Sequence, residues 1–138
     1  MIDIRTSVGQ IMSRNVLFAK PHFSFSEVAR LFSEMKIHHL PVINEERRLI
    51  GVISANDVMR AYSRLLSGGE SDLAGMDERV KVADLMTSDP VYVCPATSIH
   101  KAAELFNNHR IQCLPVVEGT EVKGIVTSRD LVRYFAEH

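Results

Sequence analysis

Two short constellations in this sequence carry chemistry. Ser54 and Asp57 stand three residues apart in Gly51-Val52-Ile53-Ser54-Ala55-Asn56-Asp57, and Thr127 and Asp130 do the same in Gly124-Ile125-Val126-Thr127-Ser128-Arg129-Asp130. A hydroxyl followed three residues later by an acid, ahead of an apolar helical run, is a capping box whose side chains satisfy amides at a helix start. The same groups offer a second chemistry. A helix start presents unpaired N–H donors and the positive end of its dipole, which suits phosphate, and a hydroxyl there can donate to a phosphate oxygen. A carboxylate would repel phosphate, so the acid suits another part of a ligand. A ribose diol offers it two O–H donors, the use dinucleotide folds make of such an acid. Hydroxyl for phosphate and acid for sugar together describe a nucleotide. Pro41 and Pro115 leave gaps in the preceding strands' hydrogen-bond ladders, so free backbone groups near them are candidates for reading a base edge.

The elements that must position these groups come in two copies. Val8/Val82, Met12/Met86, Pro21/Pro95, Ser24/Ser98, Phe32/Phe106, Ile37/Ile111, Leu40/Leu114, Pro41/Pro115 and Val42/Val116 match at a spacing of 74, and Gly51/Gly124, Asp57/Asp130 and Arg60/Arg133 match at 73 after a shortened turn. Two copies are too few for a solenoid, so they are expected to close on each other as a pseudo-twofold pair, with a symmetric ligand cleft between them. Leu17-Phe18-Ala19 and Val91-Tyr92-Val93-Cys94 are expected as short strands, each closed by a proline. The Ser24-x-x-Glu27 capping box opens a helix with Val28, Leu31, Phe32 and Met35 on one face. Its copy carries Ala102, Leu105 and Phe106 and starts at Thr97 or Ser98. Leu40–Ile43 with Leu49–Ile53, and Leu114–Val117 with Val122–Val126, are expected as hairpins. A closing helix follows each, with Val58, Met59, Tyr62, Leu65 and Leu66 along one side of the first and Leu131, Val132 and Phe135 along the second. The fold class is therefore α+β: two β-α-β-β-α units, 8–66 and 80–136, joined by a linker over 67–79.

Composition narrows the function classes. The chain has 138 residues, about one domain by size, and a formal charge of −1 from 16 basic and 17 acidic side chains. This balance gives no footprint for nucleic acid or an anionic membrane, and no apolar run approaches the length of a transmembrane helix. The start Met1-Ile2-Asp3-Ile4-Arg5 lacks the features of a signal peptide, and Cys94 and Cys113 have neither metal-ligand nor disulfide-framework spacing. A cytoplasmic protein with reduced thiols and no metal is expected. No H-E-x-x-H, C-x-x-C, G-x-S-x-G or lysine-bearing phosphate loop occurs, so no catalytic residues are assigned.

The ordered, twice-repeated set resembles a pair of cystathionine-β-synthase-type (CBS) domains, a Bateman module. The motifs are the two Gly–apolar–Ser/Thr–Asp ends, His38-His39-Leu40-Pro41-Val42 with Gln112-Cys113-Leu114-Pro115-Val116, and Val8-Gly9-Gln10-Ile11-Met12-Ser13 with Val82-Ala83-Asp84-Leu85-Met86-Thr87. The resemblance implies a non-catalytic sensor that binds adenosine-containing ligands (AMP, ADP, ATP or an S-adenosylmethionine-like compound) and requires no cofactor. Asp57 and Asp130 would contact ribose. Ser54, Thr127, Asn56, Arg129, His38 and His39 would meet phosphate. Ile37, Ile111, Gln112, Cys113, Val52, Ile125, Ser13, Val16, Thr87 and Pro90 would line base and cleft.

The two clefts differ. Arg129 stands beside Asp130, and Asn56 and the histidine pair stand beside Asp57, so the Asp130 cleft is expected to take the more anionic ligand at neutral pH. The resemblance also implies a homodimer and an unidentified effector protein, since nothing beyond the pair looks like an effector domain. The apolar breadth of the second helices agrees with a dimer. One alternative stays open: a constitutive dimerisation or docking module with no physiological nucleotide.

Overall fold

The computed structural model describes Asp3, residues 5–68 and residues 73–138; residues 1, 2, 4 and 69–72, part of the expected chain start and linker, lie outside the described residues. In chain order the elements are α1 (Val8–Ile11), α2 (Phe25–Met35), β1 (His39–Ile43), β2 (Leu49–Ser54), α3 (Ala55–Ser67), α4 (Leu73–Arg79), α5 (Val82–Leu85), β3 (Thr87–Ser88), α6 (Ile99–His109), β4 (Cys113–Glu118), β5 (Glu121–Thr127) and α7 (Ser128–Glu137). They form two compact units, Leu17–Asp89 and Met1–Val16 with Pro90–His138.

In the unit Leu17–Asp89, Ser24 Oγ accepts from the Glu27 N–H at 3.2 Å and starts α2. The helix ends at Lys36, whose φ of 52° turns the chain out of the helix and toward β1. Strands β1 and β2 pair antiparallel from His39↔Ser54 to Ile43↔Leu49, with an irregularity after Val42, and β3 adds to the free edge of β2. Asn44 Oδ1 accepts from the Glu46 and Arg48 amides and holds the turn. The core gathers Val28, Phe32, Leu40, Val42, Ile53, Val58, Ala61, Met76 and Val82.

The other unit repeats this plan. Ser98, not Thr97, caps the helix: its Oγ accepts from the Lys101 N–H at 3.0 Å, while Thr97 Oγ1 accepts from the Cys94 N–H. Arg110, with φ 53°, ends α6 at the position matching Lys36. Strands β4 and β5 pair from Cys113↔Thr127 to Glu118↔Glu121, again with an irregularity after Val116. Val8, Met12, Ala102, Phe106, Leu114, Val116, Val126 and Leu131 form the core.

Several expectations change. The first strands shrink to single parallel bridges, Ala19↔Val42 and Val93↔Val116; Pro21 and Pro95 stop the pairing, and Leu17 and Tyr92 stay exposed. The stretch expected as a linker carries α4, whose Met76 is 2% exposed inside the first core. Met35 is exposed at the end of α2. The apolar run on α3 splits: Val58, Ala61 and Leu65 turn inward, while Met59, Tyr62 and Leu66 turn out. On α7 the inward pair is Leu131 and Tyr134, with Val132 and Phe135 exposed.

The leading segments cross over. Residues 5–13 pack on the second repeat and residues 80–88 on the first. Ser13 and Ile125 exchange backbone hydrogen bonds of 2.9 and 3.1 Å, and Thr87 pairs with Val52. This contact explains the matched glycines. A Cβ on Gly124 would meet the Ser13 carbonyl oxygen at 2.5 Å, and one on Gly51 the Met86 sulfur at 2.5 Å and the Thr87 carbonyl oxygen at 2.9 Å. Gly124→Ala is therefore expected to lower stability by about 1–3 kcal/mol through overpacking against backbone. Urea denaturation should show a lower midpoint with an unchanged slope.

Candidate functional site

The acids first serve the fold. Ser54 Oγ accepts from the Asp57 N–H at 3.1 Å while Asp57 Oδ2 accepts from the Ser54 N–H at 2.8 Å. Thr127 and Asp130 repeat the exchange at 3.2 and 2.8 Å. The strand-to-helix junction thereby fixes each carboxylate without any ligand. Its other oxygen faces an arginine one turn on: Arg60 Nη2 donates to Asp57 Oδ1, and Arg133 Nη1 lies 3.5 Å from Asp130 Oδ1. The carboxylate side chains are 13% and 18% exposed and the arginines 62% and 64%, so an exposed cation covers a nearly sealed acid in each unit. The sequence matched Arg60 with Arg133 but attached no role to them; their spacing of three from the acids was the available signal.

The helix starts are partly used. The His38 carbonyl accepts from the Ala55 N–H at 2.9 Å, and the Gln112 carbonyl from the Ser128 N–H at 3.0 Å. Among the first three amides of each helix, those of Asn56 and Arg129 have no protein acceptor among the described residues. The gaps expected at Pro41 and Pro115 lie at their nitrogens, which carry no N–H, while their carbonyls stay paired. The Pro41 and Pro115 carbonyls each accept an N–H at 3.0 Å, from Ala19 and Val93.

Each unit brings together one set of the expected residues. Around Asp57 lie Ser54, Asn56, Ile37, His38, His39 and Val52, with Thr87 paired to Val52. Around Asp130 lie Thr127, Arg129, Ile111, Gln112, Cys113 and Ile125, with Ser13 bridged to Ile125. The sequence left open which leading segment joins which acid, and the crossover settles it. Val16 and Pro90, both half-buried, mark where the chain passes from one unit to the other. Ile37 and Ile111 pack against the cores, while His38, Gln112, Asn56 and Arg129 are exposed.

His39 and Cys113 occupy matching positions opposite Ser54 and Thr127. Burial holds the His39 imidazole below the usual histidine range, the His38 charge adds to this, and Asp57 opposes it. Burial pushes the Cys113 thiol up to about 12, with Asp130 assisting. Both side chains are therefore neutral near pH 7, so His39 would meet a phosphate through a neutral N–H donor and not through a full charge. Among the described residues, no three His, Cys, Asp or Glu side chains converge as a metal site, and no helix is long and apolar enough to cross a membrane.

His39 carries a pH consequence. Its folded pKa lies below the unfolded value of about 6.5, so the unfolded chain binds the extra proton and folding loses stability as pH falls through that value. His39→Asn should remove this component. The stability gap between parent and variant, measured by urea denaturation at pH 7.5 and 5.5, should shift in the variant's favour at the lower pH.

Fold and site together define a two-repeat module that presents twin hydroxyl–acid helix starts. Residues 8–64 and 82–137 match the CBS domain, and the chain belongs to that family. It is 35% identical over 108 residues to an uncharacterized 33.4 kDa protein of Thermofilum pendens, covering 78% of this chain and 32% of that protein. It is 30% identical to a homoserine O-acetyltransferase of Methanohalobium evestigatum, covering 96% of this chain and 24% of the enzyme. The chain thus spans about a quarter to a third of these relatives' length. Among solved structures, CBSX2 in complex with AMP is 30% identical with a TM-score of 0.77, covering 95% of this chain and 96% of CBSX2. The CBS domain pair of MJ0100, in complex with 5′-methylthioadenosine and S-adenosyl-L-methionine, is 26% identical with a TM-score of 0.76, covering 96% and 97%.

Proposed function

We propose that this chain is a non-catalytic regulatory module that binds adenosine-containing ligands at its two hydroxyl–acid helix starts. The observation that carries the reading is the pair of Asp57 and Asp130 carboxylates, each held in place by its own capping box with its other oxygen facing only an exposed arginine. An acceptor fixed in advance meets a ribose diol with little ordering cost. The Asn56 or Arg129 amide, with Ser54 or Thr127 beside it, is left for the ligand's tail. That two related pairs of nearly equal length bind AMP or adenosyl-sulfur compounds supports the ligand class.

Occupancy then acts on an attached domain or a separate effector, to the extent that the ligand favours one arrangement of the chain over another. The outward apolar residues Met59, Tyr62 and Leu66 on α3, and Val132 and Phe135 on α7, support pairing with a second copy.

The test separates binding from folding. Because Asp57 and Asp130 cap helices, alanine would confound the two, whereas asparagine retains an oxygen to accept the Ser54 or Thr127 N–H. A ligand at about 100 times its dissociation constant stabilises by about 2.7 kcal/mol. A thermal-shift panel of AMP, ADP, ATP, 5′-methylthioadenosine and S-adenosylmethionine should raise the parent's melting temperature. Asp57→Asn with Asp130→Asn should keep the circular dichroism spectrum and lose the response. An undiminished response in the double variant would overturn the reading.

A further inference from the structure

The crossover sorts charge between the two acidic sites in a way the linear repeats do not. Ser13 is bridged to Ile125, two residues before Thr127, so Arg14 and Asn15 belong to the unit that carries Asp130 and Arg129. Thr87 is paired with Val52, two residues before Ser54, so Ser88 and Asp89 belong to the unit that carries Asp57 and Asn56. At these three matched positions the Asp130 unit holds Arg14, Asn15 and Arg129, a formal +2. The Asp57 unit holds Ser88, Asp89 and Asn56, a formal −1. The linear repeats would have put Arg14 with Asp57 and Asp89 with Asp130, and the contrast would have been largely lost.

Of the other charged groups, Asp3, Arg133 and Glu137 line a pocket beside Asp130 to which neither Arg14 nor Arg129 contributes. Asp57 with Arg60 and Asp130 with Arg133 form equivalent pairs. His39 and Cys113 are both neutral near pH 7 for the reasons given above. His38 stands exposed where the other unit has Gln112. The Arg14 guanidinium donates to the Gly9 carbonyl at 3.0 Å, which holds its charge on the leading segment beside Ser13. Ser88 pairs with Gly51, and the Asp89 N–H donates to the Ile50 carbonyl at 3.4 Å, which sets the Asp89 backbone against β2.

We infer that the two sites divide adenosine ligands by the charge of the 5′ tail: the Asp130 site takes a ligand with a phosphate tail, and the Asp57 site one whose tail is uncharged or cationic. The inference rests on the proposed function and goes beyond it by giving each site its own ligand class. Arginine keeps its charge and forks onto phosphate, whereas Asp89 raises the cost of bringing an anion to the other site. The discrimination weakens as salt screens the exposed groups, over a Debye length of about 8 Å at 0.15 M.

Isothermal titration with AMP and with 5′-methylthioadenosine tests this on the full chain. In Asp57→Asn, which leaves the Asp130 site, AMP should bind about tenfold more tightly than 5′-methylthioadenosine at low salt, several exposed charges each contributing a modest factor. In Asp130→Asn the order should reverse. Adding Arg129→Asn to the Asp57→Asn variant should weaken AMP about threefold and leave 5′-methylthioadenosine unchanged, with a smaller effect at high salt. The same ligand order at both sites, or an Arg129→Asn change that weakens both compounds alike, would overturn the division while leaving the proposed function standing. A parent protein that binds neither compound would remove both.

Discussion

The reciprocal bond between each acid and the backbone of its own helix start is the interaction on which the rest depends. Asp57 and Asp130 each accept a backbone N–H three residues back, and Ser54 and Thr127 each accept one three residues on. Strand end, turn and first helical turn become one piece, worth about 1 kcal/mol per cap. The same bond aims a carboxylate before any ligand arrives. The geometry that satisfies a helix start also presents an acceptor oxygen beside an exposed arginine, so in the proposed function capping and binding share one device.

The second constraint is the passage of each leading segment onto the opposite repeat. Its tight approach excludes a side chain at Gly51 and Gly124. It buries Val82 in one core and Val8 and Met12 in the other, so neither repeat completes its interior alone. Each acidic site consequently draws on both halves of the sequence. The repeats are the units of duplication, while the compact units are the units of packing. The Arg129-for-Asn56 difference is local to the repeats, while the placement of Arg14 and Asp89 exists only in the second description.

Much of this was visible in the residues. Ser24-x-x-Glu27, Ser54-x-x-Asp57 and Thr127-x-x-Asp130 signal helix starts because hydroxyl and acid at that spacing meet the same amides in any context. The hairpins were legible because Leu40–Ile43 and its copies are short apolar runs joined by polar turns. The differences have separate causes. Leu17-Phe18-Ala19 and Val91-Tyr92-Val93 have strand composition, but pairing beyond one bridge needs a partner length that the following proline denies. Residues 73–79 lie between the two matched domains, and the sequence did not announce α4 there because, among its described side chains, Met76 is the one buried apolar residue. On α3 and α7 apolar residues run around more than one face, and periodicity alone could not tell Ala61 and Tyr134, which turn inward, from Met59 and Phe135, which do not.

By itself, then, the sequence determined the duplication, the helix starts, the hairpins and the identity of the two acids, because each follows from contacts within a few residues. Only the tertiary structure decided which leading segment serves which acid, which arginines cover the carboxylates, and that Arg14 shares a unit with Arg129. Those outcomes depend on backbone hydrogen bonds and close packing between residues more than thirty positions apart along the chain, or on which way a side chain turns within its first helical turn. Neither is written in local spacing.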